Sequence, residues 1–220
     1  MLVVGKQGRA RPPELGGQRQ LRLISHRISA LAVTGAIAAI AIACGGSVIS
    51  GIPLADPQFL DHDDCLEIDT RPLPIAQIVL EYRDIKVRIG GEIASEAPQR
   101  TQGLMCRSEI GAGTGMYFEL PSESTAGFWM FNTYVPLDIV YLDPDGFTVE
   151  IATLAPCPRS EGEPDRESDD EWRLRCTAES EPHAPTDHPY LDVLELPAGW
   201  LESKGIPLDD AIGLLRVERR

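Results

Sequence analysis

Bases are scarce in this 220-residue sequence: 20 Lys and Arg face 34 Asp and Glu, a formal net charge of −14, and aromatic residues make up only 6%. A surface of that sign repels phosphate backbones, so no nucleic-acid partner is expected. The sequence has no Gly-x-Ser-x-Gly elbow and no His-Glu-x-x-His pair. Gly111, Gly113 and Gly115 lack the spacing of a phosphate loop, and no amphipathic helix follows them. No cofactor, no metal and no catalytic residue is therefore assigned. The uncharged run 28–43 is short of the about 20 apolar residues that a membrane helix needs.

What is present is enough apolar residue, 43%, for a packed core, with 18 Pro and 20 Gly favouring turns and short strands. Residues 1–27 carry six bases against the single acid Glu14, then come the run 28–43 and Ala41-Ile42-Ala43-Cys44-Gly45-Gly46-Ser47. A basic leader, an apolar stretch and small residues before a cut site define an export signal. The segment resembles a bacterial lipobox, which implies that Cys44 is lipidated and becomes the first mature residue. The alternative is a retained membrane anchor running on through Val48, Ile49 and Ile52. Either reading puts the rest outside the cytoplasm, attached to the membrane. Without residues 1–43 the chain holds 14 bases and 33 acids, a net charge of −19.

Five cysteines fit that location: Cys44, Cys65, Cys106, Cys157 and Cys176. With Cys44 lipidated, four remain for an oxidising compartment. Cys157 and Cys176 bracket one acidic segment, and a bridge there would close a loop of about 20 residues and stabilise it by ~3 kcal/mol. Cys65–Cys106 follows by elimination. A nucleophilic Cys106 would need a base, and no His stands near it in sequence.

Along the chain, 1–43 is the leader, 44–74 a Pro- and acid-rich tether, and 75–217 the domain, with an acidic, Pro-rich insert at 158–189 read as a surface loop. The run Asp61-His62-Asp63-Asp64, and His183 and His188 in the insert, are read as solvated rather than as metal sites. Ile85, Val87 and Ile89 alternate with Lys86 and Arg88, the period of a half-buried strand, which Gly90-Gly91 should break. Ser95 should cap a helix over 96–107, with Arg100 and Arg107 on one face. Strands are expected at 137–142, 147–154 and 190–197, and the tail 208–217 closes the sheet. The fold class is mainly β: a compact β-sandwich or barrel-like domain with one or two short helices.

The motifs Arg100-Thr101-Gln102-Gly103-Leu104-Met105-Cys106-Arg107, Gly115-Met116, Phe128-Trp129-Met130-Phe131-Asn132-Thr133, Pro136-Leu137-Asp138-Ile139 and Val193-Leu194-Glu195-Leu196-Pro197-Ala198-Gly199-Trp200, in this order, resemble the DUF192 family over about 75–217. The resemblance implies a compact, mostly β, often exported domain of unestablished activity.

Two acids sit inside apolar strands. Asp138 shares a side with Val140 and Leu142, and Glu195 with Leu191 and Val193. A lone buried carboxylate is costly, so each needs a partner. Arg100 and Arg107 are the expected ones, with Asn132 and Thr133 adding hydrogen bonds. These six residues form either a buried network or a polar pocket walled by Met105, Trp129, Met130 and Trp200, suited to a small polar ligand such as a sugar of a surface glycan. The function expected is that of a non-enzymatic binding or assembly module at the cell surface. The alternative is a hydrolase of extracellular glycans using the two inward acids.

Overall fold

The computed structural model describes residues 48–49, 52–53, 56–160, 166–180, 185 and 188–220. The leader, Cys44 and His183 lie outside the described residues. Val48–Ile49 (β1) and Ile52–Pro53 (β2) form a short antiparallel pair. The other strands, Ile75–Tyr82 (β3), Ile85–Ala94 (β4), Thr114–Ser124 (β5), Leu137–Leu142 (β6), Thr148–Leu154 (β7), Tyr190–Pro197 (β8) and Arg216–Arg219 (β9), make a seven-stranded sheet in the order β7-β6-β8-β5-β4-β3-β9. The fold is mainly β, as the alternation of apolar residues requires. It is one curled sheet, a half-barrel. The β6–β7 turn bonds back to the far edge, with Val217 N donating to Gly146 O at 2.8 Å and Thr148 N to Leu215 O at 3.0 Å.

Every pairing in that sheet is antiparallel except β4 with β5. The parallel pair explains why Gly90-Gly91 does not end β4. Gly91 lies opposite Gly115. A Cβ at Gly115 would stand 2.3 Å from the Glu195 carbonyl oxygen, and one at Gly91 2.7 Å from Ile78 Cγ1. Glycine here permits close approach of backbones within a continuous strand.

The sheet is covered on both faces. On one, Ile78, Leu80, Val140, Leu142, Leu194 and Leu196 pack with Trp200, Leu201 and Ala211 from the short helices Trp200–Ser203 (α3) and Leu208–Ala211 (α4). On the other, Met116, Phe118, Ile139, Tyr141 and Val193 lie under Leu104, Met130, Phe131 and Trp172. We call these the helix face and the loop face.

Helix α1 is shorter than expected, Ala97–Gln102, and its N-cap is Glu96 rather than Ser95. The Gln99 side chain accepts from the backbone N–H groups of Ser95 and Glu96 at 3.0 and 2.9 Å, a capping interaction. Gly103, at φ 51°, stops the helix in the left-handed region. Arg107 therefore lies beyond the helix and shares no helical face with Arg100.

The acidic insert is not all loop. Asp169–Ser180 forms helix α2. Ser168 starts it: Glu171 N donates to Ser168 Oγ at 3.4 Å and Ser168 N to Glu171 Oε2 at 3.0 Å, a capping box. Trp172 and Cys176, four apart, face inward and are buried. Both bridges form as expected, Cys157–Cys176 with Cα atoms 5.9 Å apart and Cys65–Cys106 with 5.8 Å. They place the domain in an oxidising, extracytoplasmic environment. Among the described residues, no helix is long and apolar enough to cross a membrane.

Part of the segment expected as a tether is fastened to the domain. Phe59 pairs with Arg107 in an isolated bridge, Leu60 N donates to Cys106 O at 2.9 Å, and Asp69 and Gln102 exchange two bonds of 2.9 Å. Asp64 is gripped by Arg159 at 3.0 Å and Arg166 at 2.7 Å, both from the insert. Asp64, expected to be solvated, thus holds a strap to the insert, while Asp61 and Asp63 are exposed.

Candidate functional site

The expected neutralisation of Asp138 and Glu195 by Arg100 and Arg107 does not occur. Arg100 reaches backbone oxygens instead: its Nη1 donates to Ser95 O and, at 3.1 Å, to Glu119 O, tying α1 to β5. Arg107 is buried and pairs with Glu92 at 2.7 Å, its guanidinium stacked over Phe59 at 4.4 Å; its Nε has no partner. Glu92 was missed because Gly90-Gly91 was expected to end the strand before it, whereas β4 runs on to Ala94.

The two acids lie on opposite faces of the sheet. The register places Asp138 opposite Leu196 and Thr153, on the helix face, and Glu195 opposite Ile139 and Met116, on the loop face. A hydrolase working through this pair loses its geometry, since one bond cannot be flanked through a packed sheet.

Asp138 is a structural residue. Thr153 Oγ1 donates to one carboxyl oxygen at 2.7 Å and Gly199 N to the other at 2.9 Å, fixing the turn that starts α3. Burial pushes its carboxyl up, and those two bonds oppose the shift. Asp138→Ala removes the buried acceptor of both bonds and, since Thr153 and Gly199 are exposed and can turn to water, should cost about 2 kcal/mol in urea unfolding. A loss below about 1 kcal/mol would contradict this role.

Glu195 is different. It is 4% exposed, and no described residue donates a hydrogen bond or brings a cation to it. Burial alone pushes its carboxyl up to about 8. It floors a cavity of about 30 Å³ whose lining includes Arg100, Met105, Trp129 and Thr133 from the expected set. Gly103, Leu104, Phe118 and Phe128 complete much of the wall, and were not singled out from the sequence. Phe128 belonged to a quoted motif, which was the available signal. Thr101 is exposed, and Gly103, Met105, Phe128 and Trp129 are half-buried, so the mouth reaches solvent.

The remaining expected residues lie elsewhere. Trp200 packs on the helix face. Met130 is buried in the loop-face core and does not line the cavity. Asn132, with φ 55°, donates from Nδ2 to Asp64 O at 2.8 Å and so holds the strap.

A wider cleft of about 400 Å³ adjoins the cavity and shares Gln102 and Gly103 with it. Its walls include Arg71, Gln99, Arg107 and Met116. The arrangement offers a neutral carboxyl in an aromatic recess, open to a polar groove.

The family that matches is DUF192, described as an uncharacterized ACR, over residues 79–214. No curated protein matches. A protein of unknown function from Novosphingobium aromaticivorans DSM 12444 is 25% identical with a TM-score of 0.51, over 79% of this chain and 99% of that one. A protein from Sinorhizobium meliloti 1021, described as a candidate transcription regulator, is 25% identical with a TM-score of 0.49, over 68% of this chain and 96% of that one.

Proposed function

This chain belongs to the DUF192 family, and we propose that it is a non-enzymatic binding module that takes a small polar ligand on its loop face. One group of the ligand seats on Glu195, and the remainder lies in the adjoining 400 Å³ cleft. The observation that carries this reading is the Glu195 carboxyl: buried, without a partner, and facing a cavity that reaches solvent. A protein that needs such a group only for folding gains nothing from an acid there, because an apolar residue of similar size would be cheaper.

The test is a binding screen on the full chain. Neutral polyols, mono- and disaccharides, amides and amines are followed through the indole signal of Trp129. The reading expects a bound class whose affinity falls at least tenfold in Glu195→Gln. It fails if no class binds, or if binding is indifferent to that change.

We propose also that the domain works tethered to the membrane through lipid on Cys44. The sequence around Cys44 and the two disulfides support this. Mass spectrometry of the membrane fraction should find a mature chain beginning at a diacylglycerol-modified Cys44. An unmodified chain that retains residues 1–43 would overturn it.

A further inference from the structure

Among the described residues three charged side chains are buried: Arg107, Asp138 and Glu195. Arg107 has Glu92 at 2.7 Å. Asp138 has Thr153 and Gly199 at 2.7 and 2.9 Å. Glu195 is left without a counterpart, and its surroundings say what would supply one.

The cavity walls are aromatic and sulfur-bearing: Phe118, Phe128, Trp129 and Met105. Phe118 and Phe128 meet edge to face at 4.9 Å, so the two rings brace each other. Rings of this kind stabilise a cation through their negative faces and give an anion nothing comparable. Arg100 reaches the wall, but its Nη1 donates to the carbonyl oxygens of Ser95 and Glu119 and no hydrogen bond joins it to Glu195. A volume of about 30 Å³ has room for a water-sized group and little more. The net charge of −14 draws cations towards the molecule.

Resting on the reading of this cavity as a ligand site, we propose that the group it takes is a primary ammonium, which converts the Glu195–aromatic recess into a closed ion pair. The ammonium donates to the Glu195 carboxylate and to Thr133, the polar residue beside it in the lining. Its alkyl stem passes Trp129 and Met105 towards Gly103 and the wider cleft. A carboxylate or phosphate ligand is refused by the acid. A hydroxyl of equal size forms a single neutral hydrogen bond and gains nothing from the rings. The ligand is thus an amine on an alkyl stem with a polar body, such as an exposed lysine side chain.

The discriminating probes are n-butylammonium chloride and n-butanol, matched in length, on the full chain at pH 8.5, with potassium chloride at equal ionic strength as the control. The indole signal of Trp129 reports occupancy. Butylammonium should bind at least tenfold more tightly than butanol, and Glu195→Gln should abolish that preference. The variant's unfolding midpoint at the same pH, expected at or above that of the unmodified chain, shows that it is folded. Equal binding of both probes through Glu195 overturns the ammonium assignment and leaves the binding reading standing. A signal reproduced by potassium chloride also overturns it. Silence from both probes overturns it, and the polyol and saccharide arms then decide the broader reading.

Discussion

Glu195→Gln stabilises the folded protein at pH 8 by a few kcal/mol and at pH 5 by less than about 1 kcal/mol. The sign follows from the two states of the acid. In the unfolded chain the glutamate releases its proton near 4.5, whereas in the fold burial holds the proton up to about 8. Between these values the folded state binds the extra proton, so stability falls as pH rises. A displacement of that size, at about 1.4 kcal/mol for each tenfold, sets an upper limit of about 5 kcal/mol, and water entering the cavity reduces it. Glutamine keeps the shape and cannot ionise. Urea unfolding of both proteins at pH 5, 6.5 and 8 measures the difference, and comparison at each pH cancels all other titrating groups. A variant less stable than the parent at pH 8 would mean that Glu195 is a charged, satisfied member of a network.

Cys65→Ser/Cys106→Ser is expected to lower stability by about 4 kcal/mol. The bridge spans 41 residues, and a loop of that length loses much unfolded-state entropy when closed. The effect reaches the cleft as well. This bridge anchors the strap that carries Asp69 and Arg71 along the wall of the 400 Å³ cleft. The Asp69–Gln102 bonds, with Ile93 N donating to Pro74 O at 2.8 Å, hold that wall afterwards. Urea unfolding of the oxidised parent and the oxidised variant gives the magnitude, and under reductant the two should match, because the Cys157–Cys176 bridge is then open in both. A change below about 1 kcal/mol would show that the strap is held mainly by its other contacts. The 19-residue Cys157–Cys176 bridge should cost less when removed, in keeping with its shorter loop.

The strands of the sheet were legible because period-2 alternation is written in the residues. Ile85, Val87 and Ile89 mark one, and the 137–142 run and its Asp143–Gly146 turn mark another. That Asp138 and Glu195 point inward was equally legible. Which face each one enters was not. The face depends on the β6–β8 register, which pairs Ile139 with Glu195 and Asp138 with Leu196. A slip of one residue would have paired Asp138 with Glu195 on one face, and nothing local to either strand fixes it. The arginine partners failed for a related reason: Gly103 ends α1 before Arg107, and a helix end is set by one residue's φ rather than by periodicity.

Helix α2 shows the reverse case. Its sequence, Asp-Asp-Glu-Trp-Arg-Leu-Arg-Cys, has no apolar stripe beyond Trp172 and Cys176, so patterning was silent. The signal was Ser168 three residues before Glu171, a capping box ahead of a cysteine already expected to bridge. The cavity was half legible: Met105, Trp129, Thr133 and Glu195 were chosen from motifs, while Phe118 enters it only through the pairing of β5 with β8.

The claim on which the account turns is that Glu195 is an acid buried without a partner. Carbon-13 NMR titration of the Glu195 side-chain carboxyl measures this directly. A midpoint near 8 is predicted, and a midpoint at or below 4.5 would contradict the account.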